Sequence, residues 1–292
     1  MQDGPPDSVS DLTYCADLVR DADADRFATA MLCPTPGRWR LLALYAFNIE
    51  VSKTREAVRE PMIGEIRLQW WRDAVAECRA GNPRRHQVVH PLATAMLDSN
   101  LPEACFLEVI DARARDLDDF PPVDEEKLNA YIEGSGGALG ELAYRCAVPE
   151  DDLTPIGLQA GRAAGRAWAW IGLARGLHVH SVMGRHTIPA TWLARHPDLS
   201  KEVAVAQVGA ASRAWTEWLV NQARAEFPTV RKGAARTDKS GQAALAPARL
   251  AAVYAKRLQK GGYDPYHLEI NTLGPARRAW SLLGTSLFGR VV

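Results

Sequence analysis

The sequence predicts an all-α fold, and three observations carry that prediction. Apolar residues recur at three- and four-residue steps along most of the chain, the spacing of helices with one buried face. Alternation of period two, the mark of a half-buried strand, is nearly absent. Helix starts and stops fall where such a pattern needs them. Gly81-Asn82-Pro83 closes one run, Asp124-Glu125-Glu126 opens another with acid in its first turn, and Thr154-Pro155 puts proline at a first helical position. With 292 residues, 47% apolar and 24% charged, the chain can bury one large core. The expectation is one domain of about eight to ten helices.

In chain order, the helix over 38–59 carries Leu41, Leu44, Tyr45, Phe47 and Val51 and stops before Pro61. The next, IGEIRLQWWRDAVAECRAG, aligns Ile63, Ile66, Trp70 and Val75 on its expected buried side. One of the adjacent Trp70 and Trp71 belongs in the core, because neighbouring helix positions point in different directions. Short helices over 90–105 and 103–117 follow, closed by Phe120-Pro121-Pro122. The helix opened by Thr154 runs on through GLQAGRAAGRAWAWIGLARGLH. Its Gly157, Gly161 and Gly165 form a small-residue stripe that lets another helix approach closely. Further helices are expected over 201–227, 243–259 and 275–287, with residues 231–241 (RKGAARTDKSG) as an extended polar loop.

Lys plus Arg (35) equals Asp plus Glu (35), so no net field draws the chain to nucleic acid, and none is expected as a partner. Residues 1–24 are an acidic N-terminal segment without an apolar run, unlike a secretory or mitochondrial targeting sequence; the helical domain is expected over 25–292. No stretch approaches the roughly 18–20 apolar residues that span a bilayer. The five cysteines are scattered without a CxxC and read as free thiols. A cytoplasmic location is expected, with peripheral contact at the inner membrane as its extension.

Two helix faces could carry chemistry. Positions four apart line up on one side, so Asn48, Ser52 and Glu56 share a face, with Lys53 and Arg55 beside it. Gly172, Gly176 and His180 share another, with Arg175 beside it. On helices this apolar, polar residues either meet partners or line a cavity. Glu56 is expected to pair with Lys53, Arg59 or a residue of another helix. Arg175 and Arg185 either grip an anionic head group or close the core against carboxylates. His178, His180 and His186 do not share a face and have no nearby cysteine, so no zinc site is expected. Asp116-Leu117-Asp118-Asp119 lies at a helix end where solvated acids are common, with a structural role expected first for Asp116; Trp215 and Trp218 read as one packed stripe, and the C-terminal SLLGTSLFGRVV as core packing or a frayed end.

The segment ALYAFNIEVSKTRE resembles the region of squalene and phytoene synthases that reads ALYAF before a paired-aspartate motif. ARGLHVHSVMGRHTIP, with Gly184, Arg185 and Pro189, resembles their second signature, and YIEGSGGALGELA their Tyr-x3-Val-Ala-Gly-Thr-Val-Gly stretch. The resemblance implies an isoprenoid-synthase-like helical bundle with a central cavity, where two aspartate motifs hold Mg²⁺ against a substrate diphosphate. Here the positions of those motifs fall on Ser52, Lys53 and Glu56, and on Gly176 and His180. One acid remains, and Lys53 repels a cation.

FNIEVSKTREAVREPMIGEIRLQWWRDAV, through Asn48, Glu50, Ile63, Gly64, Arg67, Gln69 and Trp71, resembles the branch that includes respiratory complex I assembly factor 6. That resemblance implies a non-catalytic protein without cofactor or metal that assists biogenesis of the NADH:quinone oxidoreductase, with complex I subunits or assembly proteins as partners. It also leaves a cavity for an isoprenoid or lipid, whose candidate contacts are Tyr45, Asn48, Glu56, Arg175 and Arg185. The alternative is a prenyl-diphosphate transferase with rewired diphosphate binding, which alone would need Mg²⁺.

Overall fold

Helix α3 (Gly37–Ser52) is apolar on nearly every side, and a helix of that kind must run through a core. In the computed structural model, which describes residues 8–58, 60–267, 272–288 and 292, every residue from Leu41 to Ile49 is buried. Around α3 pack α1 (Ser8–Ala22), α6 (Val89–Asp98), α7 (Glu103–Ala114) and α9 (Leu139–Ala147). From Ser8 on, the acidic stretch ahead of residue 25 is therefore mostly helix: Cys15 and Val19 of α1 are fully buried in this core.

A second core forms around α10 (Pro155–Arg175), flanked by α14 (Ala210–Ala234) and α15 (Lys239–Lys260). Trp215 and Trp218 of α14 stack at 5.1 Å inside it. The two cores meet where α9 crosses α10. Gly161 and Gly165 of α10 face Gly140 and Gly136, and a Cβ on Gly165 would collide with the Gly136 carbonyl oxygen. Gly136 lies in a π-helical turn (Glu133–Ala138) that joins α8 (Glu125–Ile132) to α9. Half-buried ion pairs clamp this junction. Arg162 holds Glu108, Glu133 and Glu141, and Arg166 holds Glu133 and Glu226.

All regular structure among the described residues is helical, and none of those helices is long and apolar enough to cross a membrane. Several local expectations need correction. The predicted helix over 38–59 stops at Ser52, and α4 (Thr54–Ala57) begins after a pivot at Lys53. The Glu56 N–H bonds the Lys53 carbonyl at 3.1 Å, a tighter turn that leaves the Ser52 carbonyl outside the helical ladder. On α5 (Pro61–Arg79) the buried face is Gly64, Leu68, Trp71, Val75 and Cys78, while Ile63 and Ile66 are exposed. The selected stripe missed because it counted exposed aliphatics and passed over Gly64, which packs on Leu117. Trp71 is the buried member of its pair; Trp70 is half-buried beneath Arg84.

The expected loop over 231–241 shrinks to a turn over 235–238, with helix on both sides. Helix α14 continues to Ala234, where Val230, Gly233 and Ala234 are buried, and Asp238 caps α15 by accepting the Gly241 N–H. Conversely, the helix expected over 201–227 divides into α13 (Leu199–Ala204) and α14, with Glu202 accepting the Ser212 N–H at the new start. Helix α16 (Pro275–Phe288) packs on α15, with Leu282 buried. Residues 289–291 of the C-terminal stretch lie outside the described residues.

Candidate functional site

A cavity of about 790 Å³ opens between α10, α15 and the short helices α2 (Ala24–Ala30) and α11 (Leu177–Val182). Gly172, Gly176 and His180 all line it, because backbone hydrogen bonds from Gly176 to Gly172 and from His180 to Gly176 carry the α10 direction into α11. Trp168, Tyr254, Tyr266 and Leu273 supply apolar wall.

Arg175 and Arg185 both line this cavity, and each already holds a carboxylate. Arg175 stacks over the Tyr254 ring at 3.7 Å and donates to Asp25 at 3.4 Å. Arg185, nine-tenths buried, donates to the Ser52 carbonyl at 2.5 Å and to Glu56 at 3.2 Å. The carbonyl released by the pivot at Lys53 is thus the one Arg185 takes, and the guanidinium ties the two motif segments together. Glu56 finds its partner on another segment; Arg59, its other expected partner, lies outside the described residues.

The remaining candidates separate. Tyr45 lies under Arg26 and borders a narrow gap between α3, α9, α10 and α15. Burial pushes its phenol well above the ordinary range. Asn48 is buried, and like Thr54 it has a side-chain oxygen without a protein partner. Ser52 donates to the Ile49 carbonyl, and Lys53 is half-buried at the pivot. The face expected to join Asn48, Ser52 and Glu56 is broken, since Glu56 lies beyond the pivot and is exposed.

His180 is half-buried on the cavity wall, and its inaccessible Nδ1 has no protein partner. Burial, reinforced by Arg185, pushes its pKa down to about 4, so it is a neutral imidazole at pH 7. His178 meets the Val203 carbonyl and His186 is exposed, so the three histidines do not converge. Asp116 stands apart from its solvated neighbours, in the structural role expected for it. A 3₁₀ turn (Arg115–Leu117) tucks it inside, where it accepts from Tyr131 at 3.0 Å and pairs with Arg113 at 3.3 Å; Asp118 and Asp119 stay exposed.

Mg²⁺ asks for several hard oxygens in near-octahedral array. At the motif positions this chain offers one carboxylate, which is bonded to a guanidinium, together with an ammonium, a hydroxyl, a glycine and a neutral imidazole. These residues do not fit a magnesium ion. The sequence reading missed three residues of the cavity: Asp25, Tyr254 and Arg278. Tyr254 donates to Asp25 at 2.7 Å and Arg278 does so at 2.5 Å. They come from three distant helices, and nothing in their local spacing announces the meeting.

The architecture is that of an all-α isoprenoid synthase. The structure superposes on a dehydrosqualene synthase solved with a ligand at a TM-score of 0.80, covering 94% of this chain and 95% of that one at 16% identity. Residues 19–283 match squalene/phytoene synthase, and the chain belongs to that family. It is 26% identical over 261 residues to NADH dehydrogenase (ubiquinone) complex I, assembly factor 6 of Mus musculus, covering 87% of this chain and 75% of that protein. Presqualene diphosphate synthase of Rhodopseudomonas palustris is 24% identical over 208 residues, covering 70% of this chain and 72% of that enzyme.

Proposed function

We propose that this protein is a non-catalytic member of the squalene/phytoene synthase family that assists assembly of respiratory complex I. One observation carries this. At the positions of the family's two aspartate motifs, Arg185 bridges Ser52 and Glu56, so an organic cation holds together the segments that would otherwise need acids for metal. Without such a metal, a diphosphate leaving group lacks its main neutralising charge. The likeness to complex I assembly factor 6 along most of the chain supplies the class of role, with complex I subunits or assembly proteins as partners.

The cavity of about 790 Å³ holds an isoprenoid or another lipid, its tail against Trp168, Tyr254 and Tyr266. The protein acts from the cytoplasmic side of the inner membrane as a peripheral component. Met62, Ile63 and Ile66, exposed on α5, support contact with the membrane or a subunit. Deletion of the gene in its host, followed by NADH:quinone oxidoreductase assays on isolated membranes, tests the role. The expected result is lost activity restored by the wild-type gene. Undiminished activity in the deletion strain contradicts it.

A further inference from the structure

The cations of the cavity are already answered by an anion from the chain itself. Asp25 sits in the first turn of α2 with only 7% of its side chain exposed, and both carboxylate oxygens are engaged. Oδ1 accepts from Arg278 Nε at 2.5 Å; Oδ2 accepts from Tyr254 at 2.7 Å and from Arg175 at 3.4 Å. Arg278 also donates to the Leu273 carbonyl at 2.9 Å, which fixes its fork toward Asp25. The other arginine of the lining, Arg185, is answered by Glu56. Asp23, at the cavity edge, is paired with Arg26, and His180 is neutral.

We propose that Asp25 is the specificity-determining residue of this cavity: it acts as a resident counter-ion to Arg175 and Arg278, so the cavity admits lipids with an uncharged polar head and rejects diphosphates. A diphosphate would bring two or three negative charges beside a carboxylate that cannot withdraw into water, and it would have to take guanidinium donors from that carboxylate. An alcohol or carbonyl head needs only a hydrogen bond and leaves the Asp25 cluster intact. The proposal rests on the cavity reading above for the lipid tail alone; its claim about charge stands on the cluster.

The test separates the two. Inorganic pyrophosphate, which has no tail, is titrated calorimetrically into the full-length wild type and into Asp25→Asn. Asp25→Asn keeps the shape and one acceptor oxygen, for Arg278 or for Tyr254, and removes the charge. Binding should be at least about tenfold tighter in the variant, weaken with salt, and fall back in Asp25→Asn/Arg278→Gln. Equal pyrophosphate affinity in wild type and Asp25→Asn overturns the proposal, as does a gain that survives loss of Arg278.

Should Asp25→Asn not fold, the wild type alone decides, by thermal shifts with farnesol and with farnesyl diphosphate. Stabilisation by farnesol and not by farnesyl diphosphate is the expected result. Equal or greater stabilisation by the diphosphate overturns the role of Asp25. No shift with either lipid overturns the cavity reading and the ligand class that depends on it.

Discussion

Arg185 makes a hydrogen bond that a charged donor gives to a carbonyl, in a setting nine-tenths hidden from solvent. Removing it leaves the Ser52 carbonyl without that donor, while removing Glu56 deletes only a more exposed ion pair. Arg185→Met should therefore lower stability by about 1–3 kcal/mol, and Glu56→Gln by less than about 1 kcal/mol, in urea unfolding. Equal costs would mean that the ion pair, not the carbonyl contact, joins the two segments.

His180 gives a pH signature. Its folded pKa of about 4 lies below the ordinary value of 6.5, so between those values the unfolded chain binds the proton and the folded one does not. Stability from this group is complete above pH 6.5 and is lost as pH falls toward 4, by about 3 kcal/mol in all. In His180→Gln the slope of unfolding free energy across that window should be shallower. An unchanged slope would mean that the imidazole is not desolvated.

At the scale of elements, two glycines on one helix make opposite predictions. A Cβ on Gly165 would strike the Gly136 carbonyl, whereas one on Gly172 meets nothing within 4 Å. Helix propensity favours alanine at both sites by up to about 1 kcal/mol, but overpacking at Gly165 costs about 1–3 kcal/mol or more. Gly165→Ala should lower the melting temperature and Gly172→Ala should hold or raise it. The ion network across the α9–α10 junction is a second lever. Arg162→Met leaves the mostly buried Glu141 with Arg145 as its remaining ion-pair partner and should cost about 1–3 kcal/mol, measured by urea unfolding.

The glycine stripe was legible in the sequence because close helix approach has few substitutes for small residues. Helix faces were less legible. Ile63 and Ile66 look like core in a period count, yet they face outward because Gly64 is where α5 meets Leu117. The loop expected over 231–241 misled for a related reason: Val230, Gly233 and Ala234 bury one small face, and the polar residues merely coat the other.

Across the whole molecule, the fold was readable because family motifs and helical periodicity agree along the chain. The site was half readable. Short-range spacing aligned Gly172, Gly176 and His180 and singled out Arg175 and Arg185, all of which line one cavity. Asp25, Tyr254 and Arg278 converge only through tertiary packing, 229 and 253 residues apart from Asp25. The pivot at Lys53 was equally hidden, since it depends on Arg185 taking a carbonyl 133 residues away.

The central claim is that cations and a neutral imidazole have replaced the metal-holding acids. Its most direct measurement is diphosphate release from farnesyl and geranylgeranyl diphosphate by the purified, folded protein with Mg²⁺. No release above that of a heat-inactivated sample is expected, in the wild type and in Glu56→Gln alike. Steady release by the wild type that falls in Glu56→Gln would contradict it.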